Sequence, residues 1–233
     1  MLTPVKAVLL DALQTLIDLD PSFPGAFARV CNDFGYWVRE SDVAKVMPLV
    51  EAFEKERLKN ESNLSVTNEY LEELWLRMNR FIFEQVGITG DAEKLSIEME
   101  RRFEHGSFTR LFPDTLPVLR RLRDQGLTIG IVSNGTASIM NCLKYHGIDR
   151  YVDFILVSGL VGWEKPSPRI FEIALQHASA IPEETLFIGD HYICDIEGAR
   201  RVGIRPLMIT RKTPSACPDC DVIHSLEELF TYL

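Results

Sequence analysis

From Pro113 onward the chain alternates short apolar runs with segments of helical spacing, and this alternation leaves few folds open. Leu127 to Val132, Phe154 to Val157, Leu186 to Ile188 and Pro206 to Ile209 read as buried strands. Helices are expected between and after them. The first runs from a cap at Asp114 through Asp124 and stops at Gly126. The others cover Ala137 to Tyr145, Pro168 to Ala178, Ile193 to Val202, and Leu226 to Tyr232 behind a Ser225 cap. Strands alternating with helices imply a doubly wound parallel sheet covered on both faces, the α/β class. Val5 to Leu10 is too apolar to stand alone and must join that sheet.

The section between this first strand and the rest reads differently. Helices are expected at Phe23 to Phe34, Glu40 to Lys59, Asn68 to Val86 and Asp91 to His105. Val43, Val46, Leu49, Val50 and Phe53 form one apolar stripe, and Leu71, Leu74, Trp75, Met78, Ile82 and Phe83 another, as a helix bundle requires. Trp37, Trp75, Tyr36, Tyr70 and Phe108 belong by the same spacing to core rather than to a pocket. The expected division is a catalytic core of residues 1–16 and 106–233, with a helical cap of residues 17–105 inserted over the sheet's carboxyl edge.

A length of 233 residues can bury a large core, and a net charge of −9 argues against nucleic acid or an anionic membrane as partner. The N-terminal apolar run ends at Asp11, too short for a signal peptide or a membrane span. Five scattered cysteines do not resemble a disulfide framework, which makes the cytoplasm the expected location. Cys217-Pro218-Asp219-Cys220 is a lone C-x-x-C that reads as an incidental surface loop. Zinc would need two further ligands, and His224 is the nearby candidate.

Polar residues stand where these strands end. Asp11 follows the first strand, Ser133-Asn134-Gly135 the second, and Gly189-Asp190 the fourth, with Asp195 five residues on. Lys165 precedes a helix in Gly162-Trp163-Glu164-Lys165-Pro166. The carboxyl edge of an open α/β sheet is where ligands bind. A hydroxyl and backbone N–H groups at a helix start can hold an anionic oxygen. Three carboxylates near one spot repel one another unless a hard cation such as Mg²⁺ sits among them.

In this order the motifs, together with the helical insertion between the first two and the run from Gly189 to Arg200, resemble the haloacid dehalogenase-like (HAD) hydrolase superfamily, in its branch with a helical cap. The resemblance covers essentially the whole chain and implies a Rossmann-like core. It implies Asp11 as a nucleophile that forms a covalent aspartyl intermediate. Ser133 and the N–H groups of Asn134 and Gly135 would bind the transferring group, and Lys165 would offset charge on Asp11 and the substrate. Mg²⁺ would be held by Asp11, the main-chain carbonyl of Leu13, Asp190 and Asp195. Thr15 would brace the first loop. The implied partner is a small phosphorylated substrate, handled by a monomer or homodimer.

Leu13 departs from the pattern, because phosphatases of the superfamily carry there a second Asp that protonates the leaving oxygen. General acid–base help is worth roughly 100- to 10,000-fold, so its loss weighs most on poor leaving groups. Glu164 and His191 are the candidates to replace it. Two other readings stand beside a phosphatase lacking this acid. A 2-haloacid dehalogenase needs no proton for its halide, but it works without metal and uses a cap arginine, for which Arg39 is the guess. A non-catalytic binding or regulatory protein needs neither. Phosphonate cleavage with a cap lysine would draw on Lys45, Lys55 or Lys59.

Overall fold

The computed structural model describes residues 4–61, 65–211, 217 and 219–233. Met1, Leu2 and Thr3 of the N-terminal stretch and Pro218 of the C-x-x-C segment lie outside the described residues. Six parallel strands form one sheet in the order β5-β4-β1-β6-β7-β8: β1 (Ala7–Leu10), β4 (Thr128–Ser133), β5 (Phe154–Val157), β6 (Thr185–Gly189), β7 (Arg205–Ile209) and β8 (Asp221–Ile223). A separate antiparallel ribbon pairs β2 (Ile17–Leu19) with β3 (Thr109–Leu111). The ribbon, β8, and the one-turn helix α8 (Ser158–Val161) are additions to the elements expected from sequence.

Side chains alternate across a strand, and β1 shows the consequence. Val8 and Leu10 enter one core layer with Ile129, Ile131, Leu186 and Ile188, beneath α6 (Thr115–Asp124) and α7 (Ser138–Tyr145). Leu9 enters the opposite layer with Val132 and Phe187, beneath α9 (Pro168–Ala178). Because β1 is central and buried on both faces, it must be apolar throughout. In the register, Leu10 lies beside Ile131 and Ile188, so the residues just past these strands meet at one edge.

The helical insertion comprises α1 (Phe23–Asp33), α2 (Glu40–Ala44), α3 (Met47–Glu61), α4 (Asn68–Gln85) and α5 (Ala92–Glu104), all between the two ribbon strands. Its core joins Phe27, Val30, Val43, Phe83 and Leu95, with the Phe27 and Phe83 rings 5.0 Å apart. The expected single helix from Glu40 to Lys59 is two. The first ends at Ala44, and Pro48 occupies the first turn of the next, where its missing N–H costs nothing. The break resets the helical phase: Val43 and Val46 are buried, whereas Leu49 and Phe53 face solvent. Trp37, expected in the core, is 95% exposed.

Three further expectations are corrected. Asp114 precedes α6 but makes no side-chain cap. Its carboxylate accepts hydrogen bonds from Arg211 (2.7 Å), Ser225 Oγ (2.7 Å) and the Leu226 N–H (2.8 Å), tying α6 to the C-terminal turn. Cys217 and Cys220 form a disulfide, so neither thiol is available to zinc. The segment from Ile193 to Val202 is a π-helical turn (Tyr192–Glu197) running into α10 (Gly198–Arg201) rather than one α-helix. Among the described residues no helix is long and apolar enough to cross a membrane.

Candidate active site

The Asp11 N–H donates to the Ile188 carbonyl at 2.9 Å, extending the β1–β6 pairing by one residue and fixing Asp11 at the sheet edge. The ammonium of Lys165, itself 2% exposed, lies 2.7 Å from Asp11 Oδ1 and 2.6 Å from Asp195 Oδ1. Burial disfavours that ammonium, but Asp11 and Asp195 outweigh burial and raise its pKa, so Lys165 stays charged. Burial pushes the Asp11 carboxyl up to about 6, against the pull of Lys165 and with a contribution from Asp195.

Asp195 sits on the π-helical turn, and its second oxygen accepts the His191 N–H at 2.9 Å. A Cβ at residue 189 would lie 2.3 Å from its carboxylate, so only glycine lets the strand end pass this close. Asp190 is half-buried beside it. Burial, then Asp11 and Asp195, push its carboxyl up to about 8. One oxygen from each of Asp11, Asp190 and Asp195 can be chosen so that all lie within 4.8 Å of one another. The bridge between Leu13 and Ile17 uses the Gln14 N–H and the Ala12 carbonyl, which leaves the Leu13 carbonyl uncommitted to it. Three carboxylates against one ammonium, all oxygen donors, fit a hard divalent cation.

Ser133 ends β4 and is buried. Asn134 and Lys165 hold each other reciprocally: Asn134 Nδ2 donates to the Lys165 carbonyl at 2.8 Å, and the Lys165 N–H donates to Asn134 Oδ1 at 2.7 Å. This clamp aligns the Ser133 loop with the Lys165 loop. The Gly135 N–H, expected to face a substrate, donates instead to Ser158 Oγ at 2.9 Å. Ser158 follows β5 as Asp11 follows β1, a parallel the sequence contained. Thr15 Oγ1 is buried with no partner among the described residues, and the first loop is braced by Arg211, which donates to the Thr15 carbonyl at 2.6 and 3.2 Å.

A cavity of about 310 Å³ opens over these groups. Asp11, Leu13, Ser133, Asn134, Gly135, Lys165, Asp190 and Asp195 all line it, so every sequence-selected site residue is brought to one place. The cap closes it with Glu54, Arg57, Leu71 and Trp75. Arg57 holds Glu164 through two hydrogen bonds of 2.6 and 3.1 Å, which occupies both oxygens of that candidate acid. His191 accepts the Cys194 N–H through Nδ1. Arg39 and Lys45 pair with Asp42 at the surface, and Lys55 and Lys59 line a different cavity. At the cap–core seam, Asn68 Oδ1 accepts the Ala137 N–H at 2.7 Å, and a Cβ at Gly159 would lie 3.1 Å from the Asn68 Cα.

A parallel sheet whose carboxyl edge gathers three aspartates around a buried lysine, beneath an inserted helical cap, defines a capped α/β hydrolase. Residues 8–209 match the family model described as haloacid dehalogenase-like hydrolase, and the chain belongs to that family. Haloacid dehalogenase-like hydrolase domain-containing protein 3 from Danio rerio is 26% identical over 98% of this chain and 96% of its own length. The human protein of that name is 30% identical over 58% of this chain, and the match spans about half (55%) of its length. A phosphoserine phosphatase from Thermus thermophilus is 31% identical over 66% of this chain and 63% of its own. Among solved structures, a magnesium-bound HAD hydrolase, YfnB from Bacillus subtilis, shares the fold with a TM-score of 0.77 at 22% identity over 99% of both chains.

Proposed function

We propose that the protein is a Mg²⁺-dependent hydrolase of small phosphoric monoesters that works through a covalent aspartyl phosphate on Asp11. The observation that carries this reading is the convergence of Asp11, Asp190 and Asp195 on one point, balanced by a single ammonium. The phosphatase relative lends support at the level of the family.

When bound, Mg²⁺ supplies charge neutralisation at the transferring phosphoryl group. Asp11, Asp190 and the Leu13 carbonyl would hold it, with Asp195 direct or through water. An Asp11 oxygen attacks phosphorus, and the bond to the ester oxygen breaks with its electron pair going to the leaving alkoxide. Leu13 has no proton to give, so the alkoxide takes one from water. A water molecule then attacks the phosphorus of the aspartyl phosphate, releasing inorganic phosphate and restoring the Asp11 carboxylate. Lys165 keeps Asp11 ionised and oriented, and Ser133 offers its hydroxyl to the phosphoryl oxygens.

Hydrolysis of p-nitrophenyl phosphate, whose phenolate needs little protonation, tests this directly. The expected result is turnover that requires Mg²⁺ and disappears in Asp11→Asn. Turnover that survives in Asp11→Asn would overturn the nucleophile assignment. A dehalogenase reading draws on the apolar side chain at Leu13 and on the resemblance of Ser133-Asn134-Gly135 to that subgroup. Chloride release from 2-chloropropionate without Mg²⁺ would support it instead.

A further inference from the structure

A second cavity, of about 100 Å³, adjoins the site. Leu13, Trp75, Asn134 and Gly135 line both cavities, so the two are neighbours across these four residues. Its wall is apolar, made by Leu13, Leu19, Phe23, Met99, Phe103 and Phe108 from the first loop, the ribbon and the cap. Ligand pockets pair such walls with a few placed polar groups. Two polar cap residues reach this one: Asn79, buried on α4, and Glu100, half-buried on α5, with Asn79 Nδ2 donating to Glu100 Oε1 at 3.3 Å.

Glu100 has no arginine or lysine paired with it among the described residues, although its neighbours Glu98 and Glu104 have partners. Burial pushes its carboxyl up, and the nearby Glu72 and Glu104 push the same way. A carboxylate facing an apolar cavity is costly unless a cation meets it. No lysine, arginine or histidine lines the cavity, so an ammonium on a ligand would be the cation that offsets this cost.

We infer that this cavity receives the leaving group of the substrate and selects a short aliphatic alcohol ending in an ammonium, which Glu100 binds. The substrate class is then the phosphate ester of a small amino alcohol, and this rests on the phosphohydrolase reading of the neighbouring site. A cavity that holds benzene measures about 150 Å³, so 100 Å³ suits a chain of about three carbons and an ammonium. Leu13 has a positive task here: it is the apolar floor along which the chain lies.

Phosphonates test the inference because binding them requires no turnover. Calorimetry with Mg²⁺ compares aminopropylphosphonate with its isostere butylphosphonate, and with methylphosphonate, which reaches only the first cavity. The wild type should bind the aminopropyl compound roughly tenfold or more tightly than the butyl one. Glu100→Gln should bring the two within about twofold while leaving methylphosphonate affinity and melting temperature unchanged. Ala26→Leu, which fills the cavity from α1, should weaken both chain-bearing ligands and spare methylphosphonate. Equal affinities in the wild type, a preference that survives Glu100→Gln, or no binding by any of the three would overturn the inference. Phosphate release from aminopropyl phosphate reports separately on the phosphatase reading. If the binding preference holds and no phosphate is released, that reading fails while the pocket stands.

Discussion

The guanidinium of Arg57, on the cap, grips the carboxylate of Glu164, the residue before Lys165, at 2.6 and 3.1 Å, with both side chains almost fully buried. A cap residue is thus fastened one position from the lysine that pairs with Asp11. Glu54 also accepts from Arg57, so the guanidinium is held from two sides. The pair is a latch over the site as well as a packing contact.

Removing one half of the latch leaves a buried charge uncompensated. Arg57→Met should therefore destabilise the protein by about 3–5 kcal/mol, whereas Arg57→Met with Glu164→Met should recover most of that loss. Denaturant unfolding of the wild type, both single variants and the double variant closes the cycle. A double variant as unstable as the sum of the singles would show that the two residues act independently.

Leu13→Asp should restore a proton donor where the chain has none. The rate on alkyl phosphates should rise by roughly 100-fold or more, and much less on p-nitrophenyl phosphate, whose leaving group needs no proton. The gain carries a stability cost of about 1–3 kcal/mol, because the new carboxyl would face the apolar cavity beside Phe23 and Phe108. Equal gains on both substrates would remove the leaving-group explanation.

The fold was legible because its signals are local. Val8, Leu9 and Leu10 are all apolar since β1 is buried on both faces, and Asp11 breaks the run at the strand end. Ser133 and Asp190 obey the same rule, and the parallel register then brings them to one edge. What stayed hidden depends on long-range partners. Arg57 sits in a charged helix whose neighbours Glu56 and Lys59 give no hint that it turns inward to Glu164, 107 positions away. Asp114 looks like a helix cap, but Arg211 and Ser225 claim it from the far end of the chain. The break at Lys45 and Val46 carries only Pro48 as a warning, and that residue is also acceptable in a helix's first turn. Glu100 follows Met99 on an amphipathic helix, and only the cavity gives it meaning.

Gly189→Ala should damage the site without replacing a charged residue. The added methyl would overlap the Asp195 carboxylate at 2.3 Å, forcing it off Lys165 and the His191 N–H. Turnover should fall by at least about tenfold, the scale at which small displacements of catalytic groups act. Mg²⁺ affinity should fall with it. Wild-type kinetics in this variant would mean that Asp195 has no positioning role.

The carboxylate cluster predicts an inverted pH profile for the metal-free protein. Asp11 and Asp190, pushed up to about 6 and about 8, hold protons in the folded state that an unfolded chain, near 3.9, has already released. The folded state therefore binds more protons between about pH 4 and pH 8, and stability falls as pH rises through that window. Mg²⁺ competes with those protons, so its stabilising shift in melting temperature should be larger near pH 8 than near pH 6. Asp190→Asn should abolish most of the shift. A Mg²⁺ effect independent of pH would argue that the ion binds elsewhere.

Asp114 should show the opposite sign. Burial alone would raise its carboxyl, but hydrogen bonds from Arg211, Ser225 and the Leu226 N–H outweigh burial and hold it below the usual range. A depressed carboxyl contributes stability that is present above the unfolded value near 3.9 and lost as pH falls through the folded one. Arg211 also braces the Thr15 carbonyl, so this contribution reaches the loop that carries Asp11. Asp114→Asn should cost about 1–3 kcal/mol at neutral pH. Thermal melts of wild type and variant should converge as pH falls from about 4 through the depressed folded value, where the wild-type carboxyl becomes protonated. Curves that stay parallel down to the acid limit would mean that the lost stability comes from packing around residue 114, and the charge-assisted tie to Arg211 would have to be abandoned.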